Sequence, residues 1–234
     1  MKKKTAAAVY SLCMIIITSC TSQNNVLQIV PDESYYDKPE NLIPIGDITE
    51  TMNGTGTADL PDWMFEFITG GIAGAEKIEF YNDRYLFIGD NEGVNFTALN
   101  KWAENYSVLK DFPRLAAARI EKRLISAASL YPDDEYGVFF EMLIKKAFDT
   151  EYPGAVKEET YWIKIKKSNE FDNAQDETDD PLQIYKFFVL ISIDKAIMQT
   201  VIRNMTAEVI AECRPTRYQN ISINRLQQTF FEGF

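Results

Sequence analysis

"YKFFVLISID", Tyr185–Asp194, holds the key to the fold: apolar, β-branched and aromatic residues follow one another almost without a break. The run is too short for a typical buried helix. It is rich in strand formers, so it reads as a strand buried on both faces or lying at a sheet centre. Upstream, in "TYWIKIKK", Tyr161, Ile163 and Ile165 alternate with Trp162, Lys164 and Lys166. Period two marks a half-solvated strand. The two strands are expected to pair antiparallel across the acidic loop that joins them.

Outward from this pair the period becomes helical. "RLAAARIEKRLISAASL" follows Asp111 and Pro113 and aligns Ala117, Ile120, Leu124 and Ala127; "EYGVFFEMLIKKAFD" aligns Phe139, Met142, Leu143, Lys146 and Ala147. Earlier, Phe96, Leu99, Trp102 and Tyr106 form a stripe behind Asn95, a plausible N-cap. A helix over 195–212 aligns Ile197, Val201, Met205 and Val209. Tyr85 to Ile88 reads as one more strand between turn residues. Around Trp63, Phe65 and Phe67 an apolar cluster is broken by Gly70, Gly71 and Gly74, and a turn or loop against the core is expected. The spacing needed to cradle a phosphate is missing there. The tail "YQNISINRLQQTFFEGF" suggests no element of its own. The expected class is α+β: a small antiparallel sheet packed against several amphipathic helices, in a single domain over 61–234.

The amino end carries an address. Lys2, Lys3 and Lys4 precede an apolar run from Ala6 to Ile17, shorter than the roughly 20 residues a spanning helix needs. Ile17-Thr18-Ser19-Cys20 and the polar Thr21-Ser22-Gln23 after it resemble a bacterial lipobox. That resemblance implies cleavage before Cys20, lipid on the Cys20 sulfur, and a membrane-anchored lipoprotein, outer-membrane by preference, facing the periplasm or the surface. Residues 1–19 are then a signal peptide. Residues 20–60, polar and holding Asn53-Gly54-Thr55-Gly56-Thr57, are expected to be the lipidated N-terminus and a tether, with partial order near Leu42 to Ile48.

Composition narrows the chemistry. The net charge is −11, and loss of the three lysines would make it more negative, so nucleic acid is not an expected partner. Histidine is absent, which removes imidazole bases and the common zinc sites. With Cys13 in the signal and Cys20 lipidated, Cys213 is left without a disulfide partner in the chain, and a small buried thiol is the expected role. The loop "NEFDNAQDETDDPLQ" gathers Asp176, Glu177, Asp179 and Asp180, oxygens of the kind calcium uses. It lacks the order of an EF-hand, and a solvated loop is preferred, so no metal and no cofactor is expected. "YPDDEYG" offers Asp133 or Asp134 as an N-cap rather than as a catalytic pair. Of Trp63, Trp102 and Trp162, the last lies on the lysine side of its strand and is the candidate for contact with a partner.

"RYLFIG", "RLAAARIEKRLISAA", "YWIKIK" and "YKFFVLISIDKAIMQTVI" together resemble the small outer-membrane lipoproteins of the Lpp-twenty type. The chain as a whole also resembles spirochaete lipoproteins in style. These likenesses imply an envelope-associated, non-catalytic protein. The expectation is a lipid-anchored scaffold or protein-interaction module. The alternative is a ligand-binding lipoprotein whose aromatic pocket takes a peptide, sugar or lipid.

Overall fold

The computed structural model describes residues 43–128, 137–167 and 182–231, all within one compact unit. At its centre is the strand Leu182–Asp194, labelled β5, whose residues from Phe187 to Ile193 are at most 1 % exposed. The others are β1 (Ile48–Thr51), β2 (Gly54–Thr55), β3 (Arg84–Gly93) and β4 (Val156–Lys167). They form one sheet in the order β2-β1-β4-β5-β3, every neighbouring pair antiparallel. With the six helices among the described residues, the class is α+β, and the expected β4–β5 pairing is present.

The helices are α1 (Asp62–Ala75), α2 (Phe96–Glu104), α3 (Val108–Ala128), α4 (Gly137–Asp149), α5 (Lys195–Cys213) and α6 (Arg217–Phe231). Asn95 caps α2 by accepting the Ala98 N–H at 3.1 Å. Asp194, the last residue of β5, caps α5 by accepting from Ala196 and Ile197. Strand and helix therefore change over within one residue. Ala117, Ile120 and Leu124 are buried on α3, as are Phe139, Leu143 and Ala147 on α4.

Three regions differ from the sequence expectation. Within the expected tether, Ile48–Thr51 and Gly54–Thr55 are strands, and Ile48 pairs with Ile165. A four-residue strand held by its neighbour's backbone carries too little pattern to be read alone. The expected loop at Gly70 and Gly71 lies inside α1, which buries Trp63, Met64, Ile68 and Ala75. The glycines do interrupt it: Gly71 has φ 68° and ψ −166°, a conformation essentially confined to glycine, and it divides the helix with a kink. The tail forms α6, with Gln219, Ser222, Ile223 and Leu226 buried at helical spacing. Two of the four are polar, which hid the stripe. In α5 the buried face is rotated from the expected one: Ile197 is 37 % exposed, whereas Met198 and Ile202 are fully buried.

The sheet separates two apolar cores. One face presents Tyr85, Phe87, Phe187, Val189, Ile191 and Ile193 to the layer formed by α2 to α6. In that layer α3 and α5 each pack against both α4 and α6. The other face presents Leu86, Tyr161, Ile163, Phe188 and Leu190 to α1, with Ile43 and Ile48 completing the core.

Candidate functional site

Where the helical layer meets the sheet, α2, α3 and α5 concentrate on β3 and β5. Trp162, on the next strand, sits where that cover thins. It is half-buried, with its ring stacked on Phe187 at 6.4 Å between centroids and edge-to-face with Tyr185 at 5.8 Å. Phe96, the first residue of α2, stands edge-on to Trp162, Tyr185 and Phe187 at 5.1–5.3 Å. Its own side is 37 % exposed. The N-cap at Asn95 decides where α2 begins, and so places Phe96 over the two strands. Four rings in mutual contact hold one another in fixed orientations, and such contacts add about 0.5–1.5 kcal/mol per pair beyond area burial.

The patch has a charged rim. Lys164 donates to Glu50 on β1 at 2.9 Å and lies 5.5 Å from the Tyr185 ring centroid. The hydrogen bond to Glu50 raises the Lys164 pKa above its ordinary value, while burial pulls the other way. A preorganised aromatic surface with a polar rim has the composition of a binding hot spot, and chemically it can offer ring faces, ring edges and one ammonium. Sequence reasoning located Trp162 correctly as partly exposed but missed Phe96 as its companion. Helical spacing assigned Phe96 to a core stripe, and nothing local reveals that the stripe's first residue overhangs the sheet edge.

Two polar clusters lie elsewhere. A bulge in β4 between Lys157 and Glu159 sets Glu158 and Glu159 on the α1 face together. Arg84 donates to Glu158 at 2.8 Å and to Ser192 at 2.5 Å, and the Ser192 hydroxyl donates in turn to Glu158. Trp63 Nε1 donates to Glu159 at 2.6 Å. Burial and then the Glu158 and Glu159 charges raise the pKa of Tyr81 nearby. Ser192 is fully buried, and its hydroxyl is engaged on both sides. This geometry clamps β3, β4 and β5 together and offers no open nucleophile. The adjacent glutamates in "VKEETYW", which break the alternation, were the one sequence signal of the bulge.

The second cluster wraps the edge of β3. Arg119 on α3 donates to Glu76 at 3.0 Å and to the Leu86 carbonyl at 2.9 Å, and Glu76 accepts the Leu86 N–H at 2.8 Å. The guanidinium also lies 5.0 Å from the Phe87 ring centroid and 5.4 Å from that of Tyr85. A carboxylate and a guanidinium here take the place of a neighbouring strand.

Of the other residues singled out in sequence, Cys20, Asp133, Asp134, Asp176, Glu177, Asp179 and Asp180 lie outside the described residues. Cys213 is a half-buried free thiol whose Sγ is 3.1 Å from Met142 Sδ. Among the described residues no group of three or more carboxylate or thiol side chains is arranged to hold a metal ion, and no helix is long and apolar enough to cross a membrane. Comparison with family models, with curated proteins and with solved structures returns no match for this chain.

Proposed function

We propose that this chain is a lipid-anchored protein of the bacterial envelope, tethered through Cys20, whose body serves as a non-catalytic interaction module for a protein partner. The carrying observation is the aromatic patch: Trp162 held by Tyr185, Phe187 and an exposed Phe96, beside the Lys164–Glu50 pair. Aromatic anchors ringed by polar groups dominate the energetics of protein interfaces. The rings occupy one another's inner faces, which favours a contact surface over a pocket for a sugar, peptide or lipid. The lipobox-like segment ending at Cys20 supports the anchor, and the phrases similar to Lpp-twenty lipoproteins support the envelope setting.

Photocrosslinking in the native envelope tests the partner. A photoreactive residue in place of the exposed Lys166 should give a protein adduct identifiable by mass spectrometry, and the adduct should vanish in Trp162→Ala and weaken in Phe96→Ala. An adduct that survives both substitutions, or labelling of glycan or lipid alone, would overturn the assignment of this surface to a protein. The anchor is tested by Cys20→Ser, which should abolish lipid labelling and partitioning into detergent; a variant that still partitions sinks the lipobox reading.

A further inference from the structure

The aromatic patch continues sideways onto β1. Thr51 pairs with Ile163, and both are buried, Ile163 in the core beneath α1. Glu50, the residue before, pairs with Lys164 on the opposite face. Met52, the residue after, donates its N–H to the Trp162 carbonyl at 3.1 Å, which carries the register one residue further and sets Met52 across from Trp162. Backbone alternation places it on the face that carries Glu50 and Lys164. Two rows therefore cross the sheet side by side on that face: Met52, Trp162 and Phe187 in one, Glu50, Lys164 and Tyr185 in the other.

Among the described residues Met52 is also the only methionine open to solvent. It is 54 % exposed, against 0 % for Met64 and Met198 and 2 % for Met205, and Met142 is half-buried with its sulfur against Cys213. A thioether is apolar, soft and oxidisable, and access decides which one reacts first. We infer that Met52 is a reversible oxidation site that sets the polarity of the Trp162 surface. The oxidant class is a peroxide. The Met52 sulfur attacks one peroxide oxygen, the O–O bond breaks, and the second oxygen leaves as water; the sulfur gives up two electrons and the peroxide takes them. The sulfoxide is polar and chiral, so an apolar neighbour of the indole becomes a hydrogen-bond acceptor. Sulfoxide reductases with a thiol reverse the step. The effect on a partner rests on the protein-contact reading of the patch: oxidation takes an apolar contact from the side of Trp162 that faces β1.

The full chain is treated with hydrogen peroxide, digested and read by mass spectrometry. The peptide holding Met52 should gain one oxygen before those holding Met64, Met142, Met198 or Met205. With that gain, tryptophan emission should shift to longer wavelength, and it should return after treatment with methionine sulfoxide reductases and a thiol. The shift should be absent in Met52→Leu and in Trp162→Phe, both of which keep an apolar side chain in place and should fold. In the envelope, oxidation should weaken the Lys166 adduct of the unsubstituted protein and leave that of Met52→Leu unchanged. Earlier oxidation of another of these methionines would overturn the inference, as would an emission shift that persists in Met52→Leu, no shift at all, or an adduct equally strong before and after oxidation. A missing adduct in the unoxidised protein defeats the protein-contact reading instead, and the mass and emission measurements still decide the role of Met52.

Discussion

On the side of the sheet that carries Tyr85, Phe87, Val189, Ile191 and Ile193, five helices supply an almost wholly apolar cover; on the side that carries Leu86, Phe188 and Leu190, one kinked helix and a short N-terminal segment do the same task. The thick side relies on buried area and close packing. The thin side has fewer apolar partners and adds polar clamps at its margins: Trp63 to Glu159, Arg84 and Ser192 to Glu158, and Glu76 to Arg119 across the edge of β3. Where cover is scarce, directional bonds tie strands and helices together, and breaking one singly is most costly where both partners are buried, as for Glu76 and Arg119, whose side chains are 5 % and 13 % exposed.

The largest break in this comparison is expected on the thick side. Phe112 is 1 % exposed and edge-to-face with Phe87 at 4.8 Å and Tyr152 at 5.2 Å, so Phe112→Ala should cost about 3–5 kcal/mol in denaturant titration. A loss below about 1 kcal/mol would mean that this side is not the main store of stability.

Next comes the clamp that joins the two sides. Glu76→Ala takes the carboxylate away from Arg119, whose side chain is 13 % exposed, and frees the Leu86 N–H; a loss of about 3 kcal/mol or more is expected. The pairwise change Glu76→Leu with Arg119→Met removes both charges and should recover a large part of that loss. If the double variant is no better than Glu76→Ala, the loss of the counter-charge is not what makes the clamp costly to break.

A smaller effect belongs to the thin side alone. Trp63→Phe keeps the ring contact with Tyr161 but withdraws the donor from Glu159, and about 1–3 kcal/mol should be lost. The comparison sharpens if this exceeds the cost of trimming an equal volume from the thick side.

The smallest effect concerns pH. Tyr106 lies against Gly89, where an added Cβ would come within 2.8 Å of its ring. Burial first, and then the Asp111 charge, push its hydroxyl up to about 12. The folded state thus holds the proton when the unfolded chain, titrating near about 10, has released it. The contribution is complete below pH of about 10 and is lost as pH rises toward about 12. Burial raises Tyr152 in the same direction. Tyr106→Phe should flatten the alkaline fall in stability, and an unchanged slope would assign that fall to other groups.

Legibility in the sequence followed the range of the interactions. The β5 run, the β4 alternation and the α3 and α4 stripes could be read because each element's burial repeats over at least two periods of its own geometry. The strand at 48–51 could not, since its place depends on backbone bonds to Ile163 and Ile165, more than a hundred positions away. In α6, Gln219 and Ser222 on the buried face disguised an amphipathic helix. At α1, glycine was correctly read as an interruption but wrongly as the end of helical structure, because Gly71 bends a helix whose halves both pack on the same face.

The candidate surface divides in the same way. That Trp162 should face outward from the apolar side of β4 was contained in the sequence, through the period of two. Its company, and therefore its use, was decided by tertiary structure: Phe96 reaches it only because α2 starts beside the end of β3, and β5 brings Tyr185 and Phe187 under it. The margin at β3 is likewise a product of assembly, since strand order determines which strand is left at the edge, and Glu76, just after α1, and Arg119 on α3 arrive from elsewhere in the chain to hold Leu86 there. Local sequence sets which way a side chain points, because backbone geometry alternates in a fixed period. Only packing decides what it meets, because the partners arrive from distant parts of the chain.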